Sequence, residues 1–232
     1  MAKNSIFTGV SGSRIARADS VAVIGLGRFG QELAIELMNT GTEVLGIDAR
    51  EDVVQRLNGQ LTRVVVADST REEVLRELSV DQFERVVVAI GSDLQASILT
   101  ASMLVSLGIP SIWAKALNDA HGRILSQLGV HHVVYPEKEM GRRVAHLVRG
   151  AALDFLEIDN DYVIVKMTAN SELVGRTLGE SRVRSRFNVT ILAIRHDDAV
   201  WLPADSLSEL VDGDVILVGG STRAAEEFAQ IV

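Results

Sequence analysis

The chain has 232 residues, 47% of them hydrophobic and 23% charged, which is enough for one large domain or two small ones and far from a disordered composition. It has no cysteine, which rules out a disulfide framework, thiol catalysis and cysteine-held zinc. A formal net charge of −8 leaves no broad basic face for nucleic acid or anionic lipid; Arg182, Arg184 and Arg186 form one local cluster suited to an anion.

Residues 1–18 mix Ser, Gly, Arg and Lys without the apolar stretch of a signal peptide, and they read as a flexible tail. The apolar runs that follow are strand-length, well short of the roughly 18 to 20 residues a membrane-spanning helix needs. Strands are expected at Val21–Ile24, Glu43–Ile47, Val64–Val66, Val86–Ile90, Ser111–Trp113 and His132–Val134. Helical stretches alternate with them at Gln31–Asn39, Glu72–Leu78 and Leu94–Leu107, and Gly41, Gly108 and Gly129 stand where helices end. Near-continuous apolar strands alternating with helices predict an α/β fold, a doubly wound parallel sheet of the Rossmann kind. A long helix is expected from Lys138 to about Leu153, where the character of the chain changes. Beyond it, strands at Tyr162–Met167, Thr190–Arg195, Ala199–Leu202 and Val215–Val218, with helices near Thr177–Phe187 and Thr222–Ile231, predict a small α+β domain.

The strongest motif follows the first strand. Gly25, Leu26, Gly27, Arg28, Phe29 and Gly30 form a G-x-G-x-x-G that opens a helix, an arrangement in which bare main-chain amides and the helix N-terminus receive phosphate. Asp48 ends the second strand about 20 residues on, where a carboxylate accepts from ribose hydroxyls. An acid there favours NAD(H) or ATP/ADP over a 2′-phosphorylated cofactor, although Ala49 is followed by Arg50, a basic neighbour. Asp68 and Ser69 end the third strand, as adenine-edge contacts or as a plain helix N-cap.

The motifs of catalysis are missing. Tyr162 and Lys166 have the Tyr-x-x-x-Lys spacing of some reductases, but on a strand they stand about 13 Å apart. Most of the five histidines read as surface residues outside any metal-binding or general-base frame, and His196-Asp197-Asp198 reads as a hairpin turn. The rival readings are a small NAD-dependent oxidoreductase and a redox-sensing nucleotide-binding regulator.

Taken together, the run from Ala22 to Gly30, Ala89-Ile90-Gly91 with Gln95-Ala96-Ser97, Ile112 to Ala116, and Tyr135-Pro136-Glu137-Lys138-Glu139-Met140-Gly141 resemble the RCK (KTN) regulators of potassium transport, of the KtrA/TrkA type. The resemblance implies a non-enzymic cytosolic gating subunit with the tail at 1–18 and a Rossmann nucleotide-binding RCK_N domain over 19–138. A crossover helix and linker over 139–156 and an RCK_C ligand-sensing domain over 157–232 follow. Such subunits form dimers that assemble into an octameric ring at the inner face of the membrane, beneath a KtrB/TrkH-like potassium-translocating subunit. ATP/ADP or NAD(H) is expected on the fingerprint with Asp48, Ala49, Arg50, Asp68, Ser69, Ile90, Gly91, Lys115 and Glu137. Arg28 is expected on phosphate and Glu137 near the phosphates, holding Mg or Ca; Pro136-Glu137 as a mere helix start is the alternative. The resemblance also implies cyclic di-AMP in the small domain, near Leu178, Val183, Arg184, Asn188 and Val189. Gly179 and Ser181 depart from the bulky aliphatics such regulators often carry there.

Overall fold

The computed structural model describes residues 20–149, 152–197 and 199–231. The expected tail at 1–18 and Asp198 of the expected turn lie outside them. The chain divides into two compact units between Glu137 and Lys138.

The first unit is a six-stranded parallel sheet in the order β3-β2-β1-β4-β5-β6. The strands are β1 (Ser20–Ile24), β2 (Glu43–Asp48), β3 (Arg63–Val66), β4 (Arg85–Val88), β5 (Ser111–Lys115) and β6 (His132–Val134). Helices α1 (Arg28–Asn39) and α2 (Glu51–Leu57) cover one face, where Ala34, Val53 and Leu57 pack on Val21, Val23, Val44 and Val87. Helices α3 (Glu72–Glu77), α4 (Leu94–Ser106) and α5 (Asp119–Leu128) cover the other, placing Leu75, Leu104 and Leu125 against Ile24, Ile47, Val88 and Ile112. Both sides of the central strands are thus removed from water, which is why their sequences are continuously apolar rather than alternating. The inner face of α4 carries Ser97, Thr100, Ala101 and Leu104 at helical spacing, and Asp93 caps it by accepting the Ala96 amide at 2.9 Å. In α5 the cap is Asn118, whose Oδ1 accepts from His121 N at 2.9 Å. The order places a switch point between β1 and β4, where the chain leaves adjacent strands in opposite directions; crevices form there at the carboxyl ends of the strands.

The second unit is an antiparallel sheet in the order β10-β9-β11-β8-β7. Its strands are β7 (Ala152–Asp159), β8 (Tyr162–Thr168), β9 (Val189–Arg195), β10 (Leu202–Pro203) and β11 (Val215–Gly220). Met167, Val183, Ile194, Leu210, Ile216, Val218 and Phe228 fill its core beneath α7 (Leu178–Ser181), α8 (Val183–Phe187) and α9 (Thr222–Ala229). The α/β fold class and its small second domain stand as expected.

Several elements differ from the sequence reading. Helix α6 runs Pro136–Arg149, starting earlier and stopping short of Leu153, because Ala152–Asp159 is a strand. Leu153 and Leu156, three positions apart, suit a helix phase, but pairing with β8 puts Phe155 opposite Val165 in the core and leaves both leucines exposed. The helix expected at Thr177–Phe187 is two short helices. Thr177 and Glu180 form a capping box that starts the first, and Arg182, at φ 49°, breaks the run before the second. Only Leu202–Pro203 of the strand expected near Ala199–Leu202 is paired. Asp197 adopts a left-handed φ of 43°, as a hairpin turn requires.

The two tryptophans report the units separately, Trp113 on β5 and Trp201 in the second unit. Phe228→Ala should destabilise the second unit by about 3 to 5 kcal/mol. In urea, the unfolding of a Trp113→Phe protein, followed at Trp201, should move to lower denaturant by that amount.

Candidate functional site: a glycine-lined crevice at the sheet edge

The loop between β1 and α1 brings three glycines to the switch point, and they do different work. Gly25 has φ +92° and its N–H donates to Ile47 O at 2.8 Å; a Cβ there would lie 2.8 Å from Ile90 N. A Cβ on Gly30 would lie 1.9 Å from Gly25 O, so the first turn of α1 approaches the loop as only glycine allows. Gly27 stands at the N-cap of α1 with ordinary extended angles, and no protein atom lies within 4 Å of an added Cβ. The space over Gly27 is open.

Asp48 holds this loop in shape. Its carboxylate is buried at 8% exposure; Oδ2 accepts from Leu26 N at 2.7 Å and Oδ1 accepts from Arg50 N at 2.9 Å. The guanidinium of Arg50 adds a contact at 3.3 Å, and Ala49 beside it is exposed. The sequence assigned this carboxylate to a sugar alone; in the structure it is first a fastener of the fingerprint, with both lone pairs of Oδ1 engaged by Arg50 and one lone pair of Oδ2 left over.

Across the crevice, β5 ends in Lys115, whose side chain is only 9% exposed and pairs with Glu137 at 2.5 Å. Its amine lies 5.7 Å from the centre of the Phe29 ring and would lie 3.1 Å from a Cβ on Gly91. The Lys115 ammonium holds the Glu137 carboxyl below the usual carboxylate range, with Arg28 adding a smaller pull. Thus Arg28, Phe29, Gly91, Lys115 and Glu137 converge on one place, and Ile90 backs Gly25. Glu137 also lies in the first turn of a helix that Pro136 opens, as the plainer reading required. A buried amine beside open space and free helix amides is the donor set that phosphate oxygens take. Among the described residues no group of three or more His, Asp or Glu side chains converges as a metal site, so a cation at Glu137 would need further ligands from phosphate oxygens.

The sequence itself has known counterparts. The profile of the TrkA-N domain matches residues 21–136, and that of the TrkA-C domain matches residues 162–232. The Ktr system potassium uptake protein C of Bacillus subtilis is 38% identical over 212 residues, covering 91% of this chain and 96% of that protein. The Ktr system potassium uptake protein A of Vibrio alginolyticus is 34% identical over 200 residues, covering 86% of this chain and 91% of that protein. The chain belongs to the RCK (KTN) family of potassium-transport regulators. A crystal structure of the GsuK RCK domain shares the fold of this RCK chain with a TM-score of 0.64 at 17% identity, over 94% of this chain and 49% of that one. A structure described as the GsuK channel bound to NAD does so with a TM-score of 0.63 at 18% identity, over 93% of this chain and 40% of that one. Among the described residues no helix is long and apolar enough to cross a membrane.

Other predicted positions of this RCK chain are placed differently from one another. Asp68 Oδ1 accepts the Thr70 hydroxyl at 2.6 Å and the Thr70 amide at 2.9 Å, which holds its carboxyl below the usual range. Ser69 is buried and its hydroxyl meets Thr100 Oγ1 at 3.0 Å. Neither caps α3, whose N-cap is Arg71. In the second unit Val183 and Val189 lie in the core and Leu178 packs against it, while Arg184 and Asn188 are exposed. Arg184 Nε donates to Thr190 Oγ1 at 3.3 Å and Arg186 pairs with Glu172 at 3.1 Å, so these cluster arginines have separate partners. Tyr162 and Lys166 lie on strand β8, as expected.

Four of the five histidines are exposed or partly exposed, as expected of most of them, and His121 is the exception. His121 is 2% exposed, because helical spacing sets it with Gly122 and Leu125 on the inner face of α5. His146 pairs with Glu226 at 2.6 Å and stacks on Phe155, and the ring of His132 stacks on Trp113. The i, i+4 spacing of His121 and Leu125 was the available signal.

The two kinds of glycine make a direct test. Gly27→Ala should cost no more than about 1 kcal/mol, the scale of a changed N-cap. Gly30→Ala should cost several times more, since the loop or α1 must move. Thermal unfolding of both variants beside the parent decides it, and equal losses would contradict these placements.

Proposed function

We propose that this chain is a cytosolic, non-enzymic regulatory subunit that binds an adenine nucleotide in the glycine-lined crevice and thereby gates a membrane potassium-translocating partner of the KtrB/TrkH kind. The observation that carries the reading is the open space over Gly27 in a loop whose Phe29 ring lies 5.7 Å from the buried Lys115 amine, within a chain of this family. The diphosphate of ATP/ADP or NAD(H) would lie against the fingerprint amides at the head of α1, with Arg28 and Lys115 supplying charge. Asp48 would offer the remaining lone pair of Oδ2 to the ribose. NAD in the GsuK channel structure, which shares this fold, supports a nucleotide without deciding among these.

Gating needs no chemistry on the nucleotide. Subunits pair and assemble into an octameric ring, and ligands that differ at the terminal phosphate or its cation bind two ring shapes unequally. The placement of Tyr162 and Lys166 on a strand supports this reading over the oxidoreductase, since the two side chains cannot act together on one carbonyl. Glu137 would join a Mg or Ca ion bound to the phosphates, exchanging its Lys115 partner for a cation. Cyclic di-AMP in the second unit would use Arg184 and Asn188, the exposed members of its expected set.

Gly27→Asp fills the open space with a carboxylate where no protein atom is displaced, so it should fold normally yet lose ATP, ADP and NADH binding by at least about 100-fold, the scale of an unpaired charge set against phosphate. Calorimetry that finds parental affinity in that variant contradicts the reading. Glu137→Gln should remove the dependence of ATP affinity on Mg or Ca, also measured by calorimetry; an unchanged cation effect removes Glu137 from the proposal. Light scattering with each nucleotide should show a ring-sized assembly whose dimensions respond to ligand.

A further inference from the structure

The turn that leaves β5 is held by a side chain rather than by the sheet. Ala116 N–H still donates to Val134 O at 2.8 Å; the next amide, Leu117 N–H, donates to His121 Nδ1 at 3.2 Å. A nitrogen that accepts carries no proton, so in the neutral ring the proton sits on Nε2. Nε2 is buried and has no partner among the described residues. The held segment borders the crevice: from the place of a Cβ on Gly91, Lys115 Nζ lies at 3.1 Å and Leu117 Cδ2 at 3.8 Å. His121 is therefore the fastener of the wall that presents the buried amine.

We propose that His121 is a positioning residue for the Lys115–Leu117 wall of the crevice, and that it works only as a neutral imidazole, so that its protonation loosens the wall and weakens nucleotide binding. A second proton on the ring would sit at Nδ1 and face the Leu117 N–H, turning an acceptor–donor contact into two opposed donors. It would also put a charge in a site closed to water, which costs heavily without a partner. Little nearby offsets that charge. On α5 itself Asp119 and Arg123 are exposed; α4, packed beside it, carries no ionisable side chain, and Asp93 at its head is exposed. On β5 Lys115 is positive and already paired with Glu137, and after β6 the Tyr135 hydroxyl is pressed towards Gly122. Burial accordingly pushes the His121 pKa below its ordinary 6.5.

The sign follows from proton linkage. The closed wall excludes the proton that the opened wall accepts, so the fastening is complete above pH 6.5 and is lost as pH falls from there towards the depressed value of the closed form. The effect on binding rests on the nucleotide reading above, whereas the fastening itself does not.

Amide hydrogen exchange of Leu117 in the unliganded full chain tests the fastening. After correction for intrinsic exchange, protection should fall between pH 7.5 and 5.5, by up to about tenfold. His121→Gln keeps an uncharged acceptor and should hold protection level across that range. His121→Leu should be poorly protected at both pH values. Unchanged wild-type protection, or an equal fall in His121→Gln, overturns the proposal; the wild-type arm decides even where a variant folds badly. Calorimetry with ADP, each variant run beside the parent to cancel the ligand's own titration, tests the consequence. The parent should lose more affinity than His121→Gln over the same range, by the factor that the opened share of the unliganded wall, read from the exchange, dictates. Equal losses overturn the link to binding. Exchange behaving as described, with no ADP, ATP or NADH bound at any pH, would instead overturn the nucleotide reading and the binding half of this proposal with it.

Discussion

The crossing from β1 to α1 depends on backbone approaching backbone. With the place of a Cβ on Gly30 only 1.9 Å from Gly25 O, the helix is seated against the loop at a separation no side chain permits. A loop that tight leaves amides pointing away from helix and sheet, and an unpaired amide removed from water costs about 1 to 3 kcal/mol. Asp48 meets part of that need by accepting from Leu26, across 22 positions of sequence. The consequence is a rigid lip of main-chain donors at the switch point of the sheet.

Charge completes the site. Lys115 is an amine that the fold has largely dried, and such a group must be paired to remain charged. Glu137 serves as that partner from the exposed first turn of α6, and it is the last residue of the first compact unit. A phosphate that takes Lys115 would free Glu137, while a cation on the phosphates would recruit it. On the proposed reading, ligands with different terminal groups would differ in their interaction energies with the residue that precedes the second unit in the chain, as a regulatory ligand requires.

Much of this was legible in sequence where local chemistry and tertiary demand agree. The spacing of Gly25, Gly27 and Gly30 after an apolar strand, with an acid at position 48, specifies strand, tight turn and helix together. The parallel, doubly wound sheet followed from alternation of strands and helices, whereas the order of its strands came only from the structure. Other features depend on partners distant in sequence. That Asp48 holds Leu26, that Ser69 meets Thr100 and that Val183 and Val189 fill a core cannot be read from composition nearby. The break at Arg182 required a left-handed arginine that propensity disfavours, and β7 was concealed because Leu153 and Leu156, three apart, carry on the helical spacing of α6. His121 looked like surface because histidine usually is, although its spacing from Leu125 placed it inside.

The central claim is that a nucleotide diphosphate lies against the lip formed by Leu26 to Gly30, facing Lys115. Amide NMR during a titration of the full chain with ADP tests it most directly. Saturable shifts should be largest at Leu26, Gly27, Arg28 and Gly91, with the Lys115 ammonium signal moving in step. Saturable shifts confined to the second unit, with the glycine loop undisturbed, would contradict it.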